Sequence, residues 1–343
     1  MVYLVQQTFL YAIPLMIVAL AGVFAERSGI INLALEGIMI FGAFCGVWFV
    51  RIMQGMQWAL DASKNKAYGK LQLLEVLALL VAGLMGAIFS LLLSFASINL
   101  RADQTIGGTA LNLLAPAIVL FLIRLIANQN TLQMAVGDSA SWFMIKKSTF
   151  GIDKKTDIGF FGNVLINKVY LATYICIILF VICSILLYTT KFGLRLRSCG
   201  ENPQAADSLG ISVSKMRYAG TTISGFLAGL GGFTYALTTA NCSSNGDVAG
   251  FGFLALAVMI FGNWKPLNIA GASLLFGLFK CIAAGYSSID INGDGVFLLA
   301  TIGISPHVYR MLPYIITLLV LAFTSKSSRA PKAEGIPYDK STR

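Results

Sequence analysis

The residues best placed to do chemistry lie in SGIINLALEGIMIFG, positions 28–42. This stretch joins apolar runs, yet it holds an amide, Asn32, and a carboxylate, Glu36, with Glu26 and Arg27 just ahead of it. A carboxylate inside an apolar run costs about 2.5–3.5 kcal/mol on insertion scales, so Glu36 is expected to face water or the interior of a helix bundle. There it can accept hydrogen bonds from a polar solute, pair with Arg27, or cap a broken helix. Metal and redox chemistry are not expected. The six cysteines are scattered without a CxxC, and His307 is the only histidine. No GxxxxGK[ST] occurs, so the chain is not expected to hydrolyse ATP itself.

The elements that must position these residues are membrane helices. Of 343 residues, 57% are hydrophobic and 12% charged, about half the charge of a soluble domain. The mean hydropathy is +0.78. Apolar segments are read at about 4–24, 30–50, 72–98, 106–128, 169–189, 217–240, 250–262, 266–286 and 311–325, with a shorter one at 295–304. A span needs about 20 residues, so the fold class is an all-α polytopic bundle with roughly eight to ten spans. The first run lacks a basic n-region and reads as a span, not a cleaved signal. The net charge of +10 resides in loops and a tail between spans, where it sets topology, so nucleic acid is not an expected partner.

Both 190–216 and 326–343 are basic and flank spans, so both are placed on the cytoplasmic side, with 129–168 outside and residues 1–325 forming one membrane domain. Counting spans backwards puts loop 51–71 and Met1 outside. The alternative adopted treats 25–37 as a break inside the membrane with the N-terminus inside. LALEGIMIFG (33–42) is similar to LALAVMIFG (254–262), and paired glycine-interrupted helices point to a midplane solute site in transporters. Chance likeness between membrane helices is the competing account.

The segment KFGLRLRSCGENPQAADSLGISVSKMRYAG, 191–220, has its own local logic. Gly200, Glu201, Asn202 and Pro203 make a turn, with Asn202 as N-cap and Pro203 in the first helical position. A short helix over 204–209 then carries Ala205, Ala206 and Leu209, and Gly210 ends it. Such a capped element between spans can dock a partner, or simply connect.

Several blocks together resemble bacterial ABC importer permeases of the branched-chain amino acid, ribose and nucleoside superfamily, closest to the simple-sugar and nucleoside group. They are ERSGIINLALEGIMIFGA (26–43), LRADQTIGGTALNLLA (100–115), FGLRLRSCGENPQAADSLGI (192–211) and GFGFLALAVMIFGNWKPLNIAGASLLFGLF (250–279), with RAPKAEGIPYD (329–339) near the end. Segments 51–71 and 129–168 match nothing in that pattern, and Cys199 stands where a small aliphatic residue is more usual. The resemblance implies an importer half in the bacterial cytoplasmic membrane. ATP-binding subunits would dock on 200–211, ATP would be bound by those subunits and no cofactor by this chain. A second, homologous but different permease would complete the channel, and a binding protein would deliver solute from outside. The alternatives are an ion-coupled secondary transporter or channel, or an ABC permease for a sugar or branched-chain amino acid. For a nucleoside or sugar, the expected pathway residues are Asn32, Glu36, Thr109 and Asn112 for hydrogen bonding, with Phe233, Tyr235 and Phe253 as aromatic faces.

Overall fold

The computed structural model describes residues 2–65, 68–134, 142–147, 159–286, 305–324 and 329–340. The apolar 295–304 stretch and much of 129–168 lie outside the described residues. The first half contains α1 (Val2–Arg27), α2 (Leu35–Gln54), α3 (Gln57–Lys64), α4 (Tyr68–Ile98) and α5 (Gln104–Ala127). Next come α6 (Gly159–Ile166) and α7 (Leu171–Thr189), then the short α8 (Lys191–Glu201) and α9 (Pro203–Ser208). The rest is α10 (Val213–Thr238), α11 (Phe251–Phe261), α12 (Pro266–Gly285) and α13 (Pro306–Thr324). Extended pairs Leu132–Gln133 with Ser243–Ser244 and Met144–Ile145 with Val169–Tyr170 pin the connecting loops.

Among the described residues, six helices are long and apolar enough to cross a membrane: α1, α2, α4, α5, α7 and α12. Helix α10 has 26 residues, about 39 Å at 1.5 Å per residue, but is richer in Gly, Ser and Thr. It forms the central post, packed on α4, α1 and α2. Helix α11 has 11 residues, about 16 Å, roughly half the hydrocarbon thickness. The apolar segments read from the sequence coincide with these helices to within a few residues. The outward faces of α5 and α7 carry Leu113, Phe121, Leu125, Ile178 and Ile182, as helices against lipid do.

The face carrying α8 and α9 is the loop face. Arg27, the last residue of α1, pairs with Glu201 at 3.2 Å on that face. At the other end of α1, Gln6 donates to the carbonyls of Asn163 and Asn167 beside α6. The start of α1 therefore lies opposite the loop face, which corrects the expectation of an N-terminus on the same side as that loop. The break at 28–34 is real, but it follows a helix that has already crossed the bundle. Arg51, in the last turn of α2, also lies opposite, since its Nη1 reaches the carbonyl of Gln133, which pairs with Ser243 beyond the far end of α10. Residues 329–340 lie on the loop face: Arg329 N donates to Asn263 Oδ1, Ala333 N to the Gly200 carbonyl and Gly335 N to the Gly29 carbonyl.

Glycines let the central helices touch backbone to backbone. A Cβ on Gly42 of α2 would stand 2.5 Å from Gly229 Cα, and a Cβ on Gly229 of α10 would stand 2.3 Å from the Ala82 carbonyl oxygen of α4. Small residues at such crossings replace the hydrophobic drive that lipid removes. We expect Gly229→Val to lower the yield of monodisperse protein in detergent several-fold. Size-exclusion chromatography checks this, and an unchanged profile would mean the crossing tolerates about 1 Å of separation.

Candidate functional site

The chain turns back into the bundle after α1. Gly29, at φ +96, and Ser28 close the end of α1 through bonds to the carbonyls of Glu26 and Ala25. From there the backbone is held by side chains of other helices. Ile31 N donates to Gln104 Oε1 at 2.7 Å, and Asn112 Nδ2 donates to the Leu33 carbonyl at 2.7 Å. Asn32 Nδ2 donates to Ser224 Oγ at 2.9 Å. Helix α2 begins without a cap of its own, and Asn112 Oδ1 accepts from Gly37 N at 2.8 Å instead. The first N–H groups of a helix have no intrahelical partner, so a helix that starts in apolar surroundings needs acceptors from elsewhere.

The second interrupted helix, α11, uses the first for this purpose. Its N-cap is Gly250, in the left-handed region at φ 72, with no side chain to cap. Glu36 supplies both oxygens: Oε1 accepts from Gly250 N at 2.9 Å, and Oε2 accepts from Gly252 N at 2.5 Å and Phe253 N at 3.3 Å. The backbones approach so closely that a Cβ on Gly252 would meet Glu36 N at 2.4 Å. A carboxylate at a helix N-terminus also complements the macrodipole. Glu75, fully buried in α4, repeats the device by accepting from Ala172 N at 2.7 Å in the first turn of α7.

Beside the start of α11 lies a cavity of about 400 Å³. Its walls include Tyr11, Tyr235, Phe251, Lys280, Ala284 and Tyr314. The Tyr235 and Phe251 rings meet at 4.7 Å with a 57° tilt, and Tyr11 stands 6.3 Å from Phe251. Such walls suit an uncharged ring with a few hydrogen-bonding groups.

On the loop face, α9 is built as its sequence dictates. Asn202 Oδ1 accepts from Ala205 N at 3.1 Å, Pro203 occupies the first turn, and Gly210 turns away at φ 78. The preceding basic stretch is itself a helix, α8, capped by Thr190 Oγ1 accepting from Gly193 N, where only a membrane exit was expected. A Cβ on Gly200 would stand 2.4 Å from the Arg27 carbonyl oxygen, so α8 rests directly on the end of α1. Cys199, Ala206 and Val213 pack together under α9, which is how a thiol takes the place of a small aliphatic side chain. Leu209 is 82% exposed. Glu26 accepts from Trp264 Nε1 at 2.5 Å and shares a hydrogen bond with Glu334 of the tail. Arg217 Nη1 donates to the Ile336 carbonyl at 3.0 Å. This one node ties together the end of α1, the residues just after α11, α8 and the tail.

The sequence profile for the permease component of the branched-chain amino acid transport system matches residues 4–321. This chain belongs to that permease family. The guanosine ABC transporter permease protein NupQ of Bacillus subtilis is 40% identical over 341 residues, covering 99% of this chain and 97% of its own length. The nucleoside ABC transporter permease protein NupC of Lactococcus lactis subsp. cremoris is 37% identical over 338 residues, covering 98% and 97%. The guanosine ABC transporter permease protein NupP of Bacillus subtilis is 25% identical over 281 residues, covering 81% and 73%. No solved structure matches significantly.

In this permease, Asn32, Glu36 and Asn112 converge on the helix break, and each is engaged by protein groups there. Glu36 caps α11, while Arg27 pairs with Glu201 instead. Tyr235 lines the cavity. Phe253 gives its N–H to Glu36 but is 53% exposed. Phe233 is fully buried, and its ring fills the space a Cβ on Gly46 would need. Thr109 is exposed on α5 and bonds the Thr105 carbonyl. Lys280 and Glu75 escaped sequence reading although each is a lone charge in an apolar run, the same signal that exposed Glu36. The aromatic walls at Tyr11 and Tyr314 left no such signal, because tyrosines are common in membrane helices.

Glu36→Ala leaves buried N–H groups of α11 without their acceptor and should cost at least about 2 kcal/mol, with Glu36→Gln intermediate. Thermal melting of the purified permease checks this. Unchanged melting with lost uptake would instead assign Glu36 to solute contact. A second expectation concerns pH. Burial pushes the Glu334 carboxyl up to about 7, against the lowering influences of its hydrogen bond to Glu26 and of Arg27. A carboxyl raised in the docked state favours docking fully below its free value. That contribution is lost as pH rises through about 7. Proteolytic cleavage within 329–340 should therefore be slower at pH 5 than at pH 8, and Glu334→Gln should flatten the difference. Equal rates for the native chain would refute the assignment.

Proposed function

We propose that this chain is a permease subunit of a bacterial ATP-driven importer of nucleosides, working in the cytoplasmic membrane. The observation that carries the proposal is α9: a rigid, doubly capped helix on the loop face, presenting an exposed leucine and fastened by α8 to the end of a membrane helix. Gly200 through Pro203, Ala205, Ala206, Leu209 and Gly210 form the element on which a separate ATP-hydrolysing subunit docks. The loop face, with the C-terminal tail, is then cytoplasmic. ATP binds only to the partner subunits.

The cargo assignment is supported by the near full-length likeness to permeases named for guanosine and nucleosides. Likeness to both NupQ and NupP of one organism supports pairing with a different homologous permease. The opposite face receives solute from a binding protein. Solute then passes beside the interrupted helices, where Tyr235 offers an aromatic face and Asn32, Glu36 and Asn112 hold the pathway walls. Thr109, Phe233 and Phe253 are not among the cavity's walls: Phe233 packs in the core, while Thr109 and Phe253 are exposed.

Leu209→Glu should reduce ATP-dependent nucleoside uptake more than tenfold and abolish co-purification of the ATPase subunit, because it places a charge in an apolar contact. The amount of folded permease should not change. Uptake driven by an ion gradient with no ATPase bound would overturn the proposal.

A further inference from the structure

The cavity beside α11 contains a charge that capping does not explain. Lys280 lies in the apolar α12, about one and a half turns from its end, where a lysine is costly unless it has a task. Its Nζ donates to the Ala249 carbonyl at 3.0 Å and stands 4.9 Å from the Phe251 ring centre and 5.5 Å from that of Tyr314. Among the described residues this is its one hydrogen bond. An ammonium carries three donors and no acceptor, so two remain for a ligand. The carboxylates of Glu36 and Asp247 interact with it electrostatically. They offset its charge, so the cavity is poorly suited to an anion and well suited to a neutral solute with acceptor atoms.

We infer that this cavity is the solute-recognition site and that Lys280 reads the acceptor edge of a 6-oxopurine nucleoside stacked on the exposed Tyr314 ring, beside Tyr235. The inference rests on the nucleoside reading above and names the class within it. A 6-oxopurine presents adjacent acceptors, N7 and O6, whereas adenine presents N7 beside an N6 donor. A donor-only group held in a fixed direction meets both acceptors of the first and is opposed by the amino group of the second. The aromatic walls contribute stacking to any base, so the choice among bases falls to Lys280.

The test is uptake of radiolabelled guanosine and adenosine by cells carrying this permease with its partner subunits. In the native system, unlabelled guanosine and inosine should compete better than adenosine, and guanosine monophosphate should not compete. Lys280→Met should weaken guanosine uptake about tenfold or more, the loss of a charge-assisted hydrogen bond, with adenosine changed less than threefold. Lys280→Arg should recover part of the guanosine preference. Ala284→Trp should fill the cavity and stop uptake of both, with permease amount and ATPase co-purification unchanged. Equal loss for both nucleosides in Lys280→Met would reduce Lys280 to a tie on Ala249 and overturn the inference. Unchanged uptake in Ala284→Trp would overturn it as well. Absence of any nucleoside uptake by the native system would fail the functional reading itself, a result distinct from these.

Discussion

A helix that begins inside a membrane protein exposes backbone N–H groups that no water can reach. Each must find an acceptor or cost about 1–3 kcal/mol. Much of this permease follows from how that demand is met at α11. Glu36, reaching across from α2, takes the N–H groups of Gly250, Gly252 and Phe253. With those bonds made, α11 can begin halfway through the bundle. The space left beyond its first turn is walled by aromatic rings and Lys280. The carboxylate in an apolar run is thus the condition for having a half-length helix, and the half-length helix is the condition for having a cavity.

The same economy of cross-helix capping recurs. Asn112 serves the start of α2, and Glu75 serves the start of α7. Each capped helix start is thereby attached to a neighbour at its polar end and packed by apolar contacts along its length. Such attachments are directional, whereas lipid-like packing is not. The result is a bundle whose breaks are more firmly located than its continuous helices. At the loop face, Gly200 touches the Arg27 carbonyl, and Glu26 accepts from Trp264 just beyond α11. The end of α1 is thereby held in close contact with α8 on one side and hydrogen-bonded to the residues after α11 on the other.

The helices were legible because lipid exposure demands apolar runs of a set length, and the boundaries agree closely with that reading. The α9 cap was legible because Asn-Pro and a following glycine are local chemistry, acting within a few residues of where they are written. The roles of Asn112, Gln104 and Glu75 were not, since each bonds backbone some 70 to 100 positions away. The orientation of α1 was misread for a related reason. A break near Glu26 looks the same in sequence whether it falls midway through a span or just after one. The pairing of Arg27 with Glu201 at one end, and the bonds of Gln6 to Asn163 and Asn167 at the other, separate the two.

Residues 329–340 close the loop-face node by bonding to Gly29, Gly200, Arg217 and Asn263. All of these are made earlier in synthesis. During translation the partner groups must therefore wait, with the node open, until the last of the transmembrane helices has been threaded. A chain truncated or stalled before that point presents α9 without its supporting strap. A closed node on the loop face is therefore a record that synthesis has passed that point.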